Sequence, residues 1–226
     1  MPFSFDIEWF SEINILIGLI LTAALIVLVA DWRLALSALI AQYLLSAVLQ
    51  TQVLLMPVAI VRVLSGALAS MILYVTLRRI EENDKKALTS RAEAADLQAS
   101  RSHHRDVFVV GFPFRLFALA LVTTGIIGIA SSMTFLGLSS YVLFGGLWLV
   151  TIGILVAILS RDVPRLGLGI LMFTNGFCIL QTFSDAGLFL YGLINVSDLL
   201  LAVVISHLSM VTQDEPIVEQ EREESK

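Results

Sequence analysis

Three ionisable residues stand out within long apolar runs, where a charge has no water to stabilise it: Arg62, Asp198 and His207. At membrane depth each such group costs about 2.5–3.5 kcal/mol on insertion scales, so each calls for a partner, a cavity or a function. Asp198 lies near the middle of the last apolar run, in Asn195-Val196-Ser197-Asp198-Leu199-Leu200. Burial disfavours a carboxylate's charge, so two readings stay open for Asp198: an acid that takes up and releases a proton, or a neutral acid hydrogen-bonded to a neighbouring helix. Arg62 keeps its proton under all ordinary conditions. Its alternatives are snorkelling or a subunit contact, or an ion pair that sets the field around a carboxylate, with Asp198 as one candidate. His207, nearer the end of the same run as Asp198, is either an interfacial histidine or an exit relay for protons. Thr174 and Asn175 in the preceding run, with Gln181 and Asn195, can hydrogen-bond between helices or hold water.

The elements that must position these groups are apolar runs at about 13–30, 34–50, 53–77, 107–132, 139–159, 165–183 and 187–211. Each is close to the roughly 20 residues that carry a helix across a bilayer core. The expected fold is therefore an all-α, polytopic membrane helix bundle with seven transmembrane helices. Short breaks, such as Asp31-Trp32-Arg33 and Ser160-Arg161-Asp162-Val163-Pro164-Arg165, make consecutive helices antiparallel neighbours. Gln50-Thr51-Gln52 is the least marked break, since it carries no charge. Pro57, a little over a turn before Arg62, is a candidate for opening the backbone ladder of the third helix to water. Arg33, Arg78, Arg79, Lys85, Lys86, Arg91, Arg101, Arg105, Arg161, Arg165, Arg222 and Lys226 all fall on one side when the N-terminus is outside, which predicts an N-out/C-in chain. Arg115, just after Pro113, is near enough to that side to snorkel.

The chain then divides into a three-helix front half (1–77), a cytoplasmic segment (78–106), a four-helix back half (107–212) and an acidic tail (213–226) expected to be solvated and disordered. Within 78–106, Lys85 to Leu97 has helix-forming composition but no apolar stripe, so an exposed helix or a flexible loop is expected. Gly125, Gly128, Gly145, Gly146, Gly167 and Gly169 suit close helix packing.

Composition narrows the function classes. Hydrophobic residues make up 58% of the 226 residues and the mean hydropathy is +0.90, which leaves no room for a separate soluble enzyme domain. The lone Cys178 sits in an apolar run and reads as a buried bystander. Acidic and aromatic residues (Asp6, Glu8, Trp9, Phe10, Glu12) precede the first run, so no cleaved signal is expected. No dinucleotide or phosphate-binding loop is present, and His103-His104 lacks the companions a metal site needs. No cofactor, metal or nucleic-acid partner is expected.

In order and spacing the chain resembles the E-type membrane subunit of hydrogenase-4-like complexes, with its last three helices similar to the K-type (chain 4L) subunit of complex I. The resemblance spans most of the chain. It rests on the break before Arg33-Leu34, the helix leading to Leu77-Arg78-Arg79-Ile80, the segment Arg165-Leu166-Gly167-Leu168-Gly169-Ile170-Leu171-Met172-Phe173-Thr174-Asn175-Gly176, and Asp198 in the final helix. It implies a multi-pass subunit of the inner (cytoplasmic) membrane without its own redox centre, hence not an enzyme by itself. It also implies antiporter-like subunits of the membrane arm as partners beside the lipid bilayer. Redox chemistry elsewhere would drive proton or sodium translocation, with Asp198, Arg62, His207, Thr174 and Asn175 as path candidates. Relatives carry a second carboxylate in the helix that here holds Thr174 and Asn175. Its absence favours an alternative, a structural or assembly subunit with no ion path. A freestanding small transporter is the third reading.

Overall fold

A computed structural model describes residues 12–29, 31–51, 56–95, 112–132, 140–160, 162–182 and 188–224. They form seven helices: α1 (Glu12–Leu28), α2 (Trp32–Gln50), α3 (Met56–Ala95), α4 (Phe112–Ser132), α5 (Ser140–Leu159), α6 (Val163–Gln181) and α7 (Leu188–Glu224). The protein is all-α, and five helices, α2, α3, α5, α6 and α7, contain stretches long and apolar enough to cross a membrane. The apolar stretches of α1 and α4 are shorter, Ile13–Leu28 and Pro113–Ile129. Together these helices point to a multi-pass membrane protein.

Helix boundaries follow local chemistry. Asp31 caps α2, its carboxylate accepting from the Arg33 backbone N–H at 2.9 Å. The uncharged break does separate two helices, α2 ending at Gln50 and α3 starting at Met56. Pro57 is the second residue of α3, where a missing N–H costs no intrahelical bond, so it does not open the ladder before Arg62 as its spacing suggested. Beyond 77 the third helix continues without a break to Ala95. The residues there lack glycine and proline, and the i,i+4 pairs Arg78–Glu82 (2.9 Å) and Glu81–Lys85 (2.7 Å) support the helix. α7 runs on to Glu224, past the end of its apolar run and through Pro216, where the acidic tail was expected to be disordered.

Packing places α2, α3, α6 and α7 around one interior. α3 pairs with α7 and α2, α6 with α7 and α2, while α1 lies on α2 and α5, and α4 is the outer helix against α5 and α1. The most extensive pairing is α5 with α6. Glycines explain its closeness: a Cβ on Gly153 would meet the backbone N of Phe173 at 2.5 Å, and one on Gly176 the backbone N of Val150 at 2.6 Å. Gly146 and Gly169 lie in the same seam, and Gly167 lies against Ile205 of α7. A Cβ added to Gly125 or Gly128, expected to pack in the same way, would meet no side chain within 4 Å, because α4 turns that face away from the bundle.

The outer surface is apolar. Leu21, Leu64, Phe117, Ile158, Phe189 and Leu200 are among many large hydrophobic side chains left exposed, while Arg62 and Asp198 are buried. That inversion of a soluble protein's pattern is what a hydrocarbon solvent selects.

Candidate functional site

Sequence periodicity builds the site. Gln42, Ser46 and Gln50 recur every fourth residue on α2 and are all buried, so one polar stripe of an otherwise apolar helix faces the interior. On α3, Arg62 and Ser65 share a face; on α7, Tyr191, Asn195 and Asp198 do; on α6, Asn175 and Cys178 do. The four helices bring these stripes together.

At the centre, Arg62 Nη1 lies 2.6 Å from Asp198 Oδ2, with side-chain exposures of 1% and 0%. The same nitrogen donates to Asn195 Oδ1 at 3.1 Å. Nε and Nη2 both donate to Asn175 Oδ1, at 3.3 and 3.1 Å. One guanidinium fork from α3 thus ties α6 and α7. The Tyr43 ring from α2 completes the enclosure, its centroid 4.8 Å from the guanidinium carbon and its hydroxyl donating to Asp198 Oδ2 at 3.1 Å. That ring position depends on Gly66, one turn beyond Arg62: a Cβ there would lie 2.3 Å from Tyr43 Cγ.

Two serines hold the amides that hold the arginine. Ser46 donates to Asn175 Oδ1 at 2.9 Å and Ser65 to Asn195 Oδ1 at 2.7 Å, while Asn195 Nδ2 donates to the Tyr191 carbonyl at 2.8 Å. Asn175 Oδ1 therefore receives three donors, which fixes the amide's orientation, since a flip would turn its NH2 toward the guanidinium. Hydrogen-bonding capacity remains. Asp198 Oδ1, Asn175 Nδ2 and the side-chain amides of Gln42 and Gln50 have no hydrogen-bond partner among the described residues, and all are buried. Cys178 is buried beside Gln50. Further along the same interior, Thr76 of α3 and Ser206 of α7 share a hydrogen bond. The contacts 62–198 and 76–206 advance together, so α3 and α7 run parallel with a polar thread between them.

The structure brings three of the five sequence-derived candidates together: Arg62, Asp198 and Asn175. Arg62 neither snorkels nor faces a subunit surface. Thr174 borders the group: its hydroxyl donates to the Leu171 carbonyl at 3.0 Å and its side chain lies beside that of Tyr43. His207 is exposed on the outer face of α7 and belongs to no part of this network. Gln181 is the last residue of α6, away from the network, and His103-His104 lie outside the described residues. Tyr43, Ser46 and Ser65 were missed by reading ionisable groups alone. The signal that finds Ser46 is the fourfold recurrence with Gln42 and Gln50. Tyr43 has no such signal, because an aromatic in an apolar helix looks like core.

Chemically, the arrangement is a desolvated ion pair whose cation is clamped by two amides and a ring, leaving one carboxylate oxygen unengaged. Among the described residues no group of three or more His, Cys, Asp or Glu converges as a metal site. No family model, curated protein or solved structure matches the chain.

Proposed function

We propose that the chain is a seven-span, N-out/C-in subunit of the inner membrane. It would work in the membrane arm of a complex I-like or group 4 hydrogenase-like assembly and contribute to redox-driven proton or sodium translocation, with no redox centre of its own. The observation that carries the reading is the Arg62–Asp198 pair, buried where α2, α3, α6 and α7 meet. Asp198 lies ten residues from the start of α7, about 15 Å at 1.5 Å per residue, which is half the thickness of a bilayer core. A buried pair is a poor way to add stability, because desolvation offsets most of the attraction, so its presence favours a role in moving charge. Asp198 Oδ1, Asn175 Nδ2 and the Gln42 and Gln50 amides supply unspent hydrogen-bonding groups around it. α1 supports seven spans because its buried face, from Ile15 to Val27, lies within the common core along its length.

Affinity purification of the tagged full-length chain from its native membranes tests the assembly. Antiporter-like subunits together with hydrogenase-like or quinone-reductase-like subunits are expected to co-purify, and recovery of the chain alone overturns the proposal. A second reading, a structural subunit, is favoured by one observation: Arg62 is held by four hydrogen bonds to α6 and α7, which clamps helices as readily as it gates an ion. In that case D198N leaves ion coupling intact wherever the complex assembles.

A further inference from the structure

One turn beyond the ion pair, towards the end where α2 and α6 stop and α3 and α7 begin, stands a single layer of side chains: Gln50, Val58, Cys178 and Tyr191. Contacts fix its place. Ser46 meets Asn175 at 2.9 Å, and one turn further along both helices Gln50 lies beside Cys178, so α2 and α6 run parallel here. Val58 and Tyr191, one turn before Arg62 and Asn195, pack with Cys178 in a small cluster apart from the main core. The layer is buried, with Gln50 and Cys178 at 0% exposure and Tyr191 at 3%. Yet both amide atoms of Gln50 and the Tyr191 hydroxyl have no hydrogen-bond partner among the described residues, and neither has Asn175 Nδ2 one turn below. A thiol is a weak donor and acceptor, so Cys178 leaves the Gln50 amide unspent. Thr182, beside Tyr191, already donates to the Cys178 carbonyl at 3.3 Å.

The two directions out of the pair differ. Arg62 lies six residues from the start of α3, about 9 Å at 1.5 Å per residue, and Gln50 is the last residue of α2. In the other direction the polar stripe of α2 stops at Gln42, and buried Leu39, Leu36 and Ala35 replace it. Leu73 and Leu77 of α3 and Ile205 of α7 continue the apolar core on that side, where Thr76 and Ser206 spend their hydroxyls on each other.

We propose that the layer of Gln50, Cys178 and Tyr191 binds ordered water, which joins the ion pair to solvent at the end of the bundle where α3 and α7 begin, the outer side in the N-out orientation. A buried water takes about two to four polar partners, and the Gln50 amide, the Tyr191 hydroxyl and Asn175 Nδ2 supply them. Val58 and the Tyr191 ring narrow the passage, so the water is held in place and the ion pair stays shielded from bulk solvent. The inference deepens the role proposed for Asp198 by giving it one side from which to exchange protons. It concerns the chain by itself, so its failure is distinct from failure to recover a complex.

Hydroxyl-radical footprinting of the full-length protein in neutral detergent tests it. Radicals made from water by an X-ray pulse label side chains that touch water, bound water included, and mass spectrometry reads each site against the same site in the unfolded protein. Cys178 and Tyr191 are expected to be labelled in the folded protein although both are buried. Leu39 and Leu73, equally buried on the other side of the pair, are expected to stay protected. Q50L/Y191F removes the groups that hold the water and should bring Cys178 down to the level of Leu39. Y191F alone keeps the ring and should lower Cys178 labelling part of the way, with far-ultraviolet circular dichroism confirming that each variant is folded. Protection of both Cys178 and Tyr191 in the wild type, labelling of Leu39 and Leu73 to the same extent, or unchanged Cys178 labelling in folded Q50L/Y191F overturns the proposal.

Discussion

Removing either member of the Arg62–Asp198 pair strands the other away from water, so the two losses should not add. D198N leaves a guanidinium that does not give up its proton and that has lost its 2.6 Å charge-assisted bond. R62M leaves Asp198 without its cation and Asn175 Oδ1 with one donor in place of three. Breaking a buried pair costs about 3–5 kcal/mol, and each single variant should fall in that range. The double variant R62M/D198N, with no buried charge, should recover most of the loss, so the cycle should show strong coupling between the two positions. Unfolding in mixed micelles with increasing sodium dodecyl sulfate, followed by far-ultraviolet circular dichroism, measures all four proteins. A double variant whose loss equals the sum of the two single losses would refute the reasoning.

Glycines offer a second set of outcomes. G66A forces the Tyr43 ring from its place and should cost about 1–3 kcal/mol in the same unfolding assay, whereas G128A, with open space around it, should be nearly neutral. H207A should leave stability and any ion coupling of the assembled complex unchanged, since that side chain is exposed; a loss of coupling in proton-uptake measurements would restore it to the path. Cys178 should resist maleimide labelling in the folded protein and react once it is unfolded, as read by mass shift, because it is fully buried.

Much of the fold was legible because each helix is an uninterrupted apolar run bounded by polar punctuation. The seven runs became seven helices, and even the chargeless break at Gln50-Thr51-Gln52 divided two of them. Helix ends were harder to read. Hydropathy marks where a helix leaves the apolar layer, not where its backbone hydrogen bonds stop, so α3 passes Leu77 and α7 passes Thr212 without interruption. Pro57 was misread for a related reason: its effect depends on its distance from the helix start, which hydropathy does not fix. In the site, Arg62 and Asp198 were visible singly because charge in an apolar run is costly. Their meeting was not, since it depends on which helices pack together, a long-range property set by seams such as Gly153–Phe173. Gly125 and Gly128 show the limit of small-residue spacing, which marks a face able to pack closely and does not supply the neighbour.

Proton uptake per redox turnover by the assembled complex, compared between wild type and D198N with equal subunit recovery, tests the central claim most directly. The account predicts that D198N lowers the ratio of protons moved to electrons transferred. An unchanged ratio in a fully assembled complex would contradict it and leave the Arg62–Asp198 pair as a structural clamp.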